Sequence, residues 1–90
     1  MPTRTVTVGW PTGLHARPAA MFVAAAAAAG LPVTIRTATK PAVPTHSMLS
    51  VLSLGARCGT EVTLEAEGER APQVLATLAD LLAQNPGEEA

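Results

Sequence analysis

Two side chains in the stretch Gly13-Leu14-His15-Ala16-Arg17-Pro18-Ala19-Ala20 can do chemistry. His15 brings a nucleophilic imidazole, and Arg17 brings a fixed positive charge with a fork of donors matched to phosphate oxygens. Pro18 is tolerated in the first turn of a helix, where its missing N–H removes a donor that had no intrahelical partner, so a helix begins near His15. A helix tip presents unpaired amides and the positive end of the peptide dipoles, and an anion placed there is stabilised. An imidazole at such a tip suits reversible phosphorylation of a ring nitrogen. Phosphoryl transfer asks mainly for positioning and for electrostatic support of the charge spread over the equatorial oxygens. The P–N bond so formed stays labile, and the group can be passed on. A histidine near a helix start is by itself usually an ordinary cap or surface residue. Arg17, Pro18 and the glycine turn beside it are what set His15 apart.

The elements that must hold this tip follow from hydropathy patterning. Thr3 to Val8 alternates and puts Val6 and Val8 on one face of a first strand. Gly9-Trp10-Pro11-Thr12-Gly13 is turn chemistry, with Trp10 expected to pack at the turn, and a helix from Ala16 to Ala29 follows, closed by Gly30. Met21, Phe22 and Val23, with Ala19, Ala26 and Ala27, are expected to seal that helix against a sheet. Pro32 to Arg36 reads as a second strand with Val33 and Ile35 inward. Lys40 to Val43 is a candidate third strand, confined to a sheet edge because Pro41 and Pro44 lack amide donors. Ser47 to Leu54 reads as a short helix with Ser47 as N-cap and Gly55 as stop. Glu61 to Ala66 alternates cleanly, with Val62, Leu64 and Ala66 inward. Pro72 opens a last helix in which Val74, Leu75, Leu78, Leu81 and Leu82 keep helical spacing through Ala83. Asn85-Pro86-Gly87 ends it and leaves a frayed acidic tail at Glu88 and Glu89. The order of elements predicts an α+β sandwich with helices on one face of a mostly antiparallel sheet. Thr5, Thr7, Thr34, Arg36, Thr63 and Glu65 are expected on the open face.

Composition removes several classes of function. Ninety residues with no internal linker are expected to form one domain, 1–90, too short for a catalytic and a regulatory unit together. Hydrophobic residues make up 48% but eighteen of them are alanine, so the core must be built from small side chains. Six basic against seven acidic residues give a net charge of −1, and the absence of a basic stripe or stacking aromatics sets nucleic acid aside. The lone Cys58 rules out a disulfide framework and reads as a small filler or exposed thiol; a reducing, cytoplasmic setting is expected. The chain lacks the apolar run of a secretory signal and any stretch of roughly 18 apolar residues, so membrane insertion is not expected. No cofactor is expected, and His15 with His46 falls short of a metal site because no carboxylates accompany them. His15 also lacks an acid/base partner by spacing, which weighs against a small hydrolase.

The stretch Gly13 to Ala19 resembles the active-site signature of HPr, the histidine-containing phosphocarrier of the bacterial sugar phosphotransferase system. A second block, His46-Ser47-Met48-Leu49-Ser50-Val51-Leu52-Ser53-Leu54-Gly55, is similar to the family's serine-phosphorylation region and short second helix, at the family's usual distance from the first. The resemblance covers essentially the whole chain. It implies an open-faced β-sandwich, a four-stranded antiparallel sheet covered by three helices. It implies that His15 accepts a phosphoryl group through Nδ1, with Arg17 and the amides of Ala16 and Arg17 steadying the phosphate. An enzyme I-like donor and enzyme IIA-like acceptors of sugar permeases are then the expected partners, and the protein a carrier rather than a stand-alone enzyme. Docking positions by the same resemblance are Ala20, Ala24, Met48, Leu49 and Leu52, and Ser47 is the regulatory serine, read by a serine kinase or regulator. Many relatives carry Lys or Arg on the first helix and just after that serine, where this chain has Ala24, Ala27 and Ser50. The alternative reading is a regulatory module that docks on a transcription factor or metabolic enzyme without passing phosphate.

Overall fold

Residues 2–84 are described by the computed structural model, in which a four-stranded antiparallel sheet carries three helices on one face. In chain order the elements are β1 (Thr3–Thr7), α1 (Ala16–Ala28), β2 (Val33–Thr37), β3 (Val43–Pro44), α2 (Met48–Ser53), β4 (Glu61–Ala66) and α3 (Ala71–Ala83). The strands lie in the order β1-β4-β2-β3, so β4 is inserted between the two strands that α1 connects. The expected tail at Glu88 and Glu89 lies outside the described residues.

Alternation along the strands sets the register. Val6 pairs with Val62, Ile35 with Leu64 and Val33 with Ala66, which gathers the apolar side chains on the helix-covered face. A slip of one residue would turn this set to water. The opposite face keeps its polar partners: the hydroxyls of Thr5 and Thr63 are 3.1 Å apart, and Arg36 pairs with Glu65. On the covered side, Phe22 and Ala26 from α1, Val51 from α2 and Leu75, Leu78 and Leu82 from α3 close over Ile35 and Leu64. Each such large side chain contributes about 1.5–3 kcal/mol by leaving water.

Two expectations require correction. The third strand is not Lys40 to Val43 but the two-residue Val43–Pro44, paired with Ile35 and Thr34 of β2. It remains an edge strand, where a proline without an amide donor is tolerated. Met21 and Ala27 do not seal against the sheet; both face solvent. The core-facing side of α1 consists of Pro18, Ala19, Phe22 and Ala26, with Val23 half-buried beside it.

Candidate functional site

The chain between β1 and α1 is tied down at nearly every residue before it reaches His15. The Val8 amide donates to Thr60 O at 2.9 Å and the Gly9 amide to Leu82 O at 2.8 Å. Trp10 is buried at the turn, and its indole Nε1 donates to Leu81 O at 2.8 Å, fastening the turn to the end of α3. Gly13 closes the turn onto Trp10 O at 2.8 Å and has φ +74. A Cβ at Gly13 would stand 2.5 Å from Ala56 O, so glycine is required there for space as well as for its dihedral. Leu14 is buried as an anchor, and its amide donates to that same Ala56 carbonyl at 2.9 Å.

His15 emerges from this bracing exposed, as the N-cap of α1, with extended backbone (φ −139°, ψ 151°) and no side-chain capping bond. The ring is therefore not consumed by the helix it caps. Its own amide donates to Gly13 O at 2.9 Å. The amides of Ala16 and Arg17, at the first two helical positions, have no intrahelical acceptor, and Pro18 at the third has no N–H. The helix tip thus offers two free donors beside the imidazole. Ala16 is the one non-glycine residue with positive φ among those described, at +47°. A left-handed backbone costs an L-residue roughly 1–2 kcal/mol, which the ties at Gly13 and Leu14 and the burial of Pro18 must offset.

Arg17 is exposed, and among the described residues the ion pair is Arg36 with Glu65, leaving the Arg17 guanidinium unpaired. His15, Ala16 and Arg17 thus stand together at one exposed tip. Ala20 and Ala24 lie on the exposed side of α1 that leads away from it.

Helix α2 runs back alongside α1. His46, just before α2, shares a shallow cavity of about 390 Å³ with Ala26 and Ala27 near the far end of α1, whereas Ala56, just beyond α2, is bonded to Leu14 next to the site. Leu49 is 80% exposed, while Met48 and Leu52 are half-buried and packed on the core. Ser47 caps α2 by accepting from the Ser50 amide at 3.3 Å. Between them α1 and α2 carry one charged residue, Arg17.

Met21, expected to seal against the sheet, is 38% exposed. The available signal was its spacing, four residues after Arg17 and therefore on the same side of the helix. Cys58 is exposed, with its Sγ 3.8 Å from Gly9 O. No helix among the described residues is long and apolar enough to cross a membrane.

An open-faced sandwich with an exposed histidine at a helix tip defines a class of small proteins, and comparison with known proteins places the chain within it. The family model described as "PTS HPr component phosphorylation site" matches residues 2–84. The phosphocarrier protein HPr of Streptomyces coelicolor is 51% identical over 84 residues, covering 93% of this chain and 90% of that protein. The HPr crystal structure from Bacillus anthracis superposes with a TM-score of 0.84 at 31% identity, covering 90% of this chain and 95% of that one. HPr-C-His from Thermoanaerobacter tengcongensis gives 0.83 at 35% identity, with 91% of each chain covered. The chain belongs to the HPr family and is a phosphocarrier of the phosphotransferase system.

Proposed function

We propose that His15 is the phosphoryl acceptor of this carrier, taking the group on Nδ1 from an enzyme I-like donor and yielding it to enzyme IIA-like domains of sugar permeases. The observation that carries this reading is the exposed imidazole at the tip of α1, free of any capping bond and flanked by the two free amides of Ala16 and Arg17. In the first transfer the Nδ1 lone pair forms a bond to phosphorus as the donor's bond to phosphorus breaks, and that electron pair stays with the donor. In the second, a nucleophile of the acceptor takes the phosphorus and His15 recovers its lone pair. Arg17 and the two amides meet the oxygens' negative charge throughout. The chain cycles through a transient phosphohistidine without a cofactor, as one domain in the cytoplasm.

Docking falls to Ala20, Ala24, Met48, Leu49 and Leu52, an apolar surface that begins beside His15. Interfaces below about 1,200 Å² serve transient encounters, as a carrier with two successive partners requires. Ser47 is the site for a serine kinase. A phosphate there favours the N-terminus of α2 but sets negative charge inside the docking surface. A regulatory module that passes no phosphate has no use for an uncommitted imidazole at this tip, and the carrier reading takes precedence for that reason. Incubation with phosphoenolpyruvate and a cognate enzyme I is expected to add the mass of one phosphoryl group to the wild type and none to His15→Ala. A wild type that gains nothing refutes the reading.

A further inference from the structure

Helix α2 is too short to hold itself and is fixed from outside at both ends. It has six residues, whereas isolated helices below about 12 residues are marginal in water. Ser47 secures the first turn. The last turn has no basic residue of its own, and the cation arrives from a distant loop: the Lys40 ammonium donates to Ser53 O at 2.8 Å. A positive charge is favourable there because the carbonyl end of a helix is its negative pole. Lys40 is itself steadied, its backbone N–H donating to Thr37 Oγ1 at the end of β2, at 3.2 Å.

The contact reaches further than α2. Just after Ser53 the chain turns at Gly55, φ +62, where an added Cβ would lie 3.9 Å from Lys40 Nζ. The next residue is Ala56, whose carbonyl holds the Leu14 amide at 2.9 Å, and Leu14 immediately precedes His15. A short continuous path therefore runs from the ammonium through Ser53, Gly55 and Ala56 to the peptide that aims the imidazole.

We infer that Lys40 is a positioning residue for phosphoryl transfer, pinning the end of α2 and, through Ala56, the backbone of Leu14 and His15. This rests on His15 being the acceptor. Lys40→Met keeps most of the aliphatic stem and removes the charged donor, and Lys40→Arg restores a donor. The full chain is phosphorylated by phosphoenolpyruvate and a cognate enzyme I with kcat and KM resolved, alongside hydrogen exchange at the Leu14 amide. Lys40→Met is expected to exchange Leu14 faster and to lose about threefold to tenfold in kcat/KM, within the range of one ordinary hydrogen bond, since this charged one is exposed to water. Lys40→Arg is expected to recover most of both. Wild-type exchange and wild-type kinetics in Lys40→Met overturn the inference, as does a Lys40→Arg variant no better than Lys40→Met. Exchange needs no partner, so it decides the positioning role even if the wild type takes no phosphate, the outcome that sinks the acceptor reading instead.

Discussion

Gly13→Ala tests the bracing beneath His15 more sharply than any change to the imidazole. Two costs can be worked from the structure. The alanine must adopt φ near +74°, a left-handed conformation that costs an L-residue roughly 1–2 kcal/mol. Its Cβ would also stand 2.5 Å from Ala56 O and 2.7 Å from Arg57 Cα, so backbone must move. The carbonyl displaced is the one that accepts from Leu14, and losing that bond costs about 1 kcal/mol more. Gly59→Ala supplies the control. Gly59 has φ +91, at least as unfavourable, yet nothing lies within 4 Å of its added Cβ. Thermal unfolding followed by circular dichroism is the assay, and about 1 kcal/mol moves the midpoint of a domain this size by roughly 4–8 °C. Gly13→Ala is expected to fall below Gly59→Ala by at least that interval and to be phosphorylated more slowly while still folded. Equal losses in the two variants would refute the steric part of the reasoning, because the dihedral alone would then account for both.

Leu49→Ala is expected to leave stability within about 0.5 kcal/mol of wild type, since the side chain is 80% exposed, while raising KM for a transfer partner at least about fivefold. An unchanged KM removes Leu49 from the docking surface. Ser47→Ala deletes the acceptor for the Ser50 amide and should cost about 1 kcal/mol in urea unfolding. A midpoint identical to wild type would show that the cap contributes nothing.

The tip of α1 was legible in the sequence because its cues are local and backbone-based: Pro18 limits where the helix can start, and Gly13 marks the turn before it. The strand faces were legible for the same reason, as strict alternation in Glu61 to Ala66 leaves one register that buries Val62 and Leu64. The facing of α1 was not. A run of alanines has no hydropathy contrast between its sides, so apolar patterning alone does not tell Met21 from Phe22; the one cue is the spacing of Met21 from Arg17, and the packed structure turns Met21 out and Phe22 in. The bond from Leu14 to Ala56 and the tie from Lys40 to Ser53 join segments distant in sequence, which periodicity cannot pair. The positive φ of Ala16 left no trace either, because alanine carries no preference for that region. The edge strand shrank to Val43–Pro44 because Lys40, expected within it, is engaged elsewhere, its amide on Thr37 and its ammonium on α2.

The near-neutrality of α1 and α2 has a kinetic corollary. Long-range attraction between oppositely charged proteins lifts association from about 10⁵–10⁶ to about 10⁸–10⁹ M⁻¹ s⁻¹ at low ionic strength. With partners docking on α1 and α2 as proposed above, two helices with Arg17 as their one cation forgo most of that acceleration, so collisions would become productive at the pace set by rotational search, and dissolved salt would change that pace little. Throughput of such a relay then scales with copy number, not with the reach of its field.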